Sequence, residues 1–215
     1  MPGASYEILR LRLTPARFAP YEQAANGNAA LTLALYEWNM EAATAIFRDL
    51  GAFEVLLRNA IDLKLRARYQ AATSAPPWYR QVVLRDKAME ARDVAIGRAT
   101  AGGKPEDQDV VTAELSFGFW RYLLARTYQA SLWPIILNAF SGKPGAVDRH
   151  GVEFRVDQLY YLRNRIAHHE PIFNRNLVRD HAFLLEVAGW ICSDTRDWIE
   201  ARSTVASVLA VNPTP

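Results

Sequence analysis

The sequence predicts an all-α protein, and three observations carry that reading. Apolar residues recur at helical spacing along most of the chain. Alternating strand-like runs are hard to find. No Asn-Gly turn joins two β-rich segments, because Asn26-Gly27-Asn28 falls between two helical patterns. With 215 residues, half of them hydrophobic, the chain is long enough to bury one sizeable core, and residues 1–215 read as a single domain with no internal repeat.

In chain order, Thr14-Pro15 starts a helix, with proline at the first helical position. A long helical region runs from about Ala29 to Gln70, with a bend expected near Gly51, and Ala75-Pro76-Pro77 breaks it. A helix is expected over about Arg80 to Ala99, then a loop at Gly102-Gly103-Lys104-Pro105. Helices are expected from about Asp109 to Arg126 and from Thr127 to Phe140, the second bent by Pro134. After the loop Ser141-Gly142-Lys143-Pro144-Gly145, a helix runs from Val147 to His169, because the residue before Pro171 is pushed out of the α region. A last helix covers Arg175 to Arg202, and residues 210–215 read as a frayed tail.

Composition excludes several classes. The net charge of +2 is too small to argue for nucleic acid by itself, so a binder of that kind needs a local basic patch. Cys192 is the only cysteine, which rules out an intrachain disulfide or a cysteine-rich zinc site and fits a reducing cytoplasm. Met1 to Leu13 carries no long apolar core and no small-residue cleavage site. Even the apolar run from Leu31 to Phe47 contains Glu37, Asn39 and Glu41, so no membrane span is expected. Walker, Rossmann and Gly-x-Ser-x-Gly patterns are missing.

The stretch with most chemistry is Leu162-Arg163-Asn164-Arg165-Ile166-Ala167-His168-His169-Glu170-Pro171. Arginine holds a phosphate through a planar fork of donors, and histidine moves protons near neutral pH. At about 100° per residue, Val152, Val156, Leu159, Leu162 and Ile166 form the core face. Asn164 and His168 share another face. Arg163 sits at the border, and His168 points away from the core. Cleaving RNA by attack of its own 2′-hydroxyl needs a base, an acid and positive charge at the phosphorus. One His168 does not serve both ends of an in-line displacement, whereas two copies across a two-fold axis do. His169 is the in-chain alternative but projects about 100° away from His168. An arginine and a histidine near a helix end also serve simply as caps, favoured by the helix dipole. His168-His169-Glu170 lacks the spacing of a metal site, so neither a metal nor any other cofactor is expected.

The same stretch resembles the Arg-(x)4-His signature of the HEPN superfamily, and its continuation His169-Glu170-Pro171-Ile172 resembles the Abi-like, abortive-infection branch. Two upstream blocks resemble that branch as well. They are Phe53-Glu54-Val55-Leu56-Leu57-Arg58-Asn59-Ala60-Ile61, and Phe117-Gly118-Phe119-Trp120 followed by Leu123-Leu124 and Leu132-Trp133. The three blocks keep the family's order across roughly Leu31 to Val187, and the segment before Leu31 matches least. The resemblance implies a HEPN-like helical bundle with additional helices. In active members it implies a metal-independent endoribonuclease whose site is shared between two HEPN domains. Arg163 and His168 are then the catalytic candidates, with Asn164 the accompanying polar residue and His169 beside them. RNA, a second copy of the chain, and an antitoxin or phage-derived trigger are the implied partners. The alternatives are a helical module that binds RNA or protein without cutting, and a toxin silent without its partner. The membrane-protease sense of the abortive-infection label does not fit a chain without spans.

Glu54, Arg58, Asp62 and Arg66 recur four apart, as a solvent-facing ladder of ion pairs does. The other reading lays Glu54, Arg58 and Asn59 against the Arg163 helix to orient it, and the resemblance favours this for Glu54 and Arg58. Lys64, Arg66 and Arg68, with Arg163, Arg165, Arg175 and Arg179, would form a phosphate-binding stripe if they shared a face; otherwise they are scattered solvated charge. Phe117, Phe119, Trp120 and Trp133 read as core more readily than as base-stacking platforms, with Gly118 admitting a close helix. Trp78-Tyr79 either pins a loop or rims a groove.

Overall fold

The computed structural model describes residues 5–70 and 75–213, and among these there is no strand. The helices in order are α1 (Tyr6–Leu13), α2 (Pro15–Ala24), α3 (Ala29–Tyr69), α4 (Trp78–Gln81), α5 (Asp86–Ala99), α6 (Gln108–Glu114), α7 (Phe117–Tyr122), α8 (Trp133–Ile136), α9 (Arg149–Ala167), α10 (Leu177–Ile191), α11 (Ser193–Glu200) and α12 (Val205–Leu209). Short 3-10 turns at Arg126–Tyr128 and Leu137–Phe140 flank α8. The fold class is all-α.

Helix α3 is the spine. Asn28 caps its start by accepting from the Leu31 N–H at 2.9 Å. At about 1.5 Å per residue its 41 residues span about 60 Å. Leu35, Trp38, Ala42, Ile46, Leu50, Phe53, Leu57, Ile61 and Leu65 recur three or four apart, and all are buried. Helices α2, α7, α8, α9, α10 and α12 pack along it. The indole of Trp38 donates to the Val208 carbonyl at 2.8 Å, fastening α12. Asp49 accepts from His181 at 2.9 Å and from the Ser203 hydroxyl at 2.5 Å, tying α3 to α10 and to the turn before α12.

Helix α9 packs against α3, α7 and α10. Asp148 caps it through the His150 and Gly151 amides at 3.0 and 2.9 Å. Its buried residues are Val152, Val156, Leu159, Leu162 and Ile166, the face expected from the helical angles. A Cβ on Gly118 would lie 3.2 Å from the Tyr160 ring, so glycine lets α7 approach α9.

Several expected helices are shorter. The segment expected as one helix over 80–99 is two, since Val82 is extended and Arg85 donates its N–H to the Tyr128 hydroxyl at 2.9 Å. Val82 and Leu84 are buried while Val83 is 80 % exposed, an alternation suited to an extended link. Leu115 is also extended, and the Ser116 hydroxyl caps α7, so 109–126 is interrupted there. Pro134 lies in the first turn of α8 and starts that helix instead of bending it. Extended Cys192 separates α10 from α11. Backbone bonding continues past α12 to the Asn212 N–H, and Thr214 and Pro215 lie outside the described residues.

Trp78 and Tyr79 are buried, as are Phe117, Phe119, Trp120 and Trp133. The Trp78 indole donates to Asp62 at 2.7 Å. Asp62 also holds Arg66 at 2.6 Å, so it anchors a core tryptophan and is no part of a solvent-facing ladder. Among the described residues no helix is long and apolar enough to cross a membrane.

Candidate functional site

Two features flank the C-terminal half of α9. The first is a cavity of about 250 Å³ between α3, α9 and the α6–α7 junction. Arg163 enters it from α9, Glu54 and Arg58 from α3, and Ser116 and Phe117 form the far wall. Arg163 Nε lies 3.1 Å from Glu54 Oε1. Among the described residues its terminal nitrogens make no hydrogen bond. A guanidinium held through Nε in this way keeps its two-pronged edge open to a phosphate. Arg58 Nε bonds Asn59 Oδ1 at 3.0 Å, which leaves its terminal nitrogens open too. The structure thus brings Arg163, Glu54 and Arg58 together, with Asn59 holding Arg58. Burial holds the Glu54 carboxyl above its ordinary range, and the charge and hydrogen bond of Arg163 offset this only in part.

His168 is not in that cavity. It is exposed, one residue past the end of α9. Five residues place it about 140° around the axis and about 7.5 Å along it from Arg163. Among the described residues its imidazole has no partner. The half-buried Asn164 amide likewise has none, while its backbone carbonyl accepts from the His168 N–H at 3.0 Å.

The end of α9 is tightly fixed. The Glu170 N–H returns to the Arg165 carbonyl at 2.8 Å and the His169 N–H to the Ile166 carbonyl at 2.9 Å, a Schellman closure. His169 takes the left-handed position at φ 55°, where glycine is usual. Arg17 of α2 donates to the His169 carbonyl, and Arg165 donates to the Pro171 carbonyl. Arg165 Nε is also 3.5 Å from Glu170. Asn39 of α3 accepts from the Ile172 and Phe173 amides at 2.7 and 3.1 Å. Arg17, Asn39 and Arg165 therefore set the path on which His168 stands. Arg17 and Asn39 were not legible as site residues. The available signal for Asn39 was a polar residue on an otherwise apolar helix face, where burial demands partners.

The second feature is a groove of about 860 Å³ at the same helix end, bounded by α1, α2, α3 and Ile166 to Glu170. Tyr21, Tyr36 and Asn39 line it, with Met40 and Phe47 on one side and Arg12 and Arg17 on the other. Burial raises the Tyr21 phenol to about 12, so it stays a hydrogen-bond donor at neutral pH.

The remaining basic residues do not converge on either feature. Arg175 is committed to the buried Asp180, at 2.9 Å through Nε and 2.8 Å through Nη2. Lys64 and Arg68 lie about 15 and 21 Å along α3 from Glu54, and Arg68 stacks over Tyr69 at 5.6 Å. Arg66 is held by Asp62 and, at 2.7 Å, by Asp109. Among the described residues no cluster of three His, Cys, Asp or Glu side chains is placed to hold a metal ion. Comparison with known family models, curated proteins and solved structures gives no significant match.

Proposed function

We propose that this chain is a metal-independent endoribonuclease of the Abi-like branch of the HEPN superfamily, acting as a homodimer in the cytoplasm in phage defence. The observation that carries the reading is the Arg163–Arg58 cavity. It holds two arginines with open donor edges, one of them aligned by Glu54. Arg163 binds the scissile phosphate and stabilises the charge that grows on phosphorus. His168 of one subunit takes the 2′-hydroxyl proton. The 2′-oxygen attacks phosphorus, the bond to the 5′-oxygen breaks, and His168 of the other subunit protonates the leaving oxygen. The products carry a 2′,3′-cyclic phosphate and a 5′-hydroxyl. Exposure of His168 supports a shared site, since a lone surface imidazole is screened by water until something covers it.

Arg163→Ala and His168→Ala should each abolish cleavage in the presence of EDTA while leaving helicity and dimerisation intact. Unchanged cleavage by both variants refutes the reading. One observation favours a second reading: within a single chain, His168 lies outside the Arg163 cavity. A module that grips RNA phosphates without cutting fits that separation, and it would lose affinity in Arg163→Ala yet yield no cyclic phosphate.

A further inference from the structure

We infer that the groove at the end of α9 seats an unstacked base of single-stranded RNA, with the Asn39 amide as the group that reads it. This deepens the nuclease reading and rests on it for the identity of the polymer. Three observations lead there.

The first is a fixed, unused donor. Asn39 is only 5 % exposed, and its Oδ1 accepts both the Ile172 and Phe173 amides. Those two bonds settle which end of the amide is oxygen. The NH₂ end belongs to a residue lining the groove and makes no hydrogen bond among the described residues. The Tyr21 hydroxyl, on a residue 1 % exposed, is likewise unpartnered among them. Among the described residues Arg165 Nε is the one fully buried side-chain nitrogen or oxygen without a hydrogen bond, so the Asn39 and Tyr21 donors reach the groove. Open donors on otherwise buried residues suit a ligand that supplies acceptors, as base edges do.

The second is an exposed ring. Phe47 is 45 % exposed and forms a wall of the groove, whereas Tyr36 is stacked on Phe18 with ring centroids 4.9 Å apart. Phe47 therefore offers a free aromatic face for a base, together with the thioether of Met40.

The third is charge. Arg12 has no partner among the described residues, and Arg17 uses one terminal nitrogen on the His169 carbonyl. The one acid on the rim, Glu170, faces Arg165 at 3.5 Å. The mouth is therefore basic, which suits a phosphate-linked ligand. The groove also lies at the helix end that carries His168, with Ala167 and His169 on either side of it in its wall. A double-stranded substrate keeps its bases stacked and does not fit.

The test is fluorescence anisotropy with labelled 2′-O-methyl oligonucleotides, which bind but cannot undergo 2′-attack. The probes are U, C and A homopolymers and a duplex of the same length. The wild type should bind single strands at least tenfold more tightly than the duplex. Phe47→Ala should weaken single-strand binding about tenfold. Asn39→Asp keeps the acceptor for both backbone amides and removes the NH₂, so it should change the ranking of the homopolymers. Equal affinity of both variants and the wild type for every probe overturns the inference, as does equal binding of the duplex. Phe47→Ala converting a dimer to a monomer would assign the groove to a second copy and also overturn it. The nuclease reading fails separately: groove variants that alter binding of a protein that never cleaves leave this inference standing. Cleavage lost in Arg163→Ala but unaltered in the groove variants leaves only the nuclease reading.

Discussion

Glu54→Gln separates the work of the Glu54–Arg163 pair from its effect on stability. The pair is 3.1 Å apart with side chains 22 % and 33 % exposed, so it lies between a surface bridge and a buried one. At an effective dielectric near 20, the attraction at this distance is about 5 kcal/mol before desolvation is subtracted. The direction of the Glu54 shift shows which side wins. Burial raises its pKa above the ordinary 4.5 by more than Arg163 lowers it. The folded state therefore holds the proton more tightly than the unfolded chain, and stability falls as pH rises through the raised pKa. The glutamine amide keeps an acceptor for Arg163 Nε without a buried charge. Glu54→Gln should thus match the wild type near pH 4 and be as stable or more so at pH 8. A gain of about 1 kcal/mol would read as about 2–4 °C in Tm for a chain of this size. Cleavage should move the other way, falling about tenfold, because a neutral amide holds the guanidinium less firmly than the carboxylate does and its alignment on phosphorus loosens. Urea and thermal unfolding from pH 4 to 8, with single-turnover cleavage, provide both readouts. A variant that loses stability increasingly toward pH 8 while cleaving normally would refute the argument and make the pair an ordinary stabilising bridge.

Two further substitutions test how the end of α9 is held. Asn39→Ala leaves the Ile172 and Phe173 amides without their acceptor, and it should cost about 2–4 kcal/mol in urea unfolding; a loss below about 1 kcal/mol would mean that the 171–173 segment is held by other contacts. His169→Gly removes the strain of a side chain at φ 55° and should stabilise by about 1 kcal/mol, whereas His169→Ala should not. Cleavage retained in His169→Gly would confine acid–base work to His168, and cleavage lost would bring His169 into the chemistry.

What the sequence made legible is what the helical period alone encodes. The core face of α9 needed only helical angles, and the five residues expected on it are the five that are buried. The steric rule at Pro171 placed the stop at His169, whereas α9 ends at Ala167 and is closed by the turn in which His169 is left-handed. The breaks at Leu115 and Cys192 were missed because helical periodicity persists across them. What interrupts the helices is local: the Ser116 cap at one break and the extended Cys192 backbone at the other. In the charge stripe, Glu54 and Asp62 look equivalent by spacing. One meets Arg163 across 109 residues and the other meets Trp78 across 16, and no periodicity contains those partners. Asn39 was hidden for the same reason, since its partners are backbone amides 133 and 134 residues away.

The separation of Arg163 from His168 bears directly on how many chains make one site. If two His168 imidazoles serve as base and acid on one phosphate, a dimer with one His168→Ala subunit is dead even though its partner is intact. Mixing wild type with His168→Ala under conditions of subunit exchange then poisons the wild type. With random pairing, activity per wild-type subunit should equal the wild-type mole fraction, about one half at equal amounts and about one tenth at ninefold excess. If each chain cleaves with its own arginine and histidine, that activity stays constant at every ratio. Arg163→Ala subunits give an independent slope. Poisoning by His168→Ala without poisoning by Arg163→Ala would mean that proton transfer spans the interface while one guanidinium suffices for the phosphate. That outcome fits a geometry in which Arg163 is fixed in its own chain by Glu54 and His168 stands free at the end of α9.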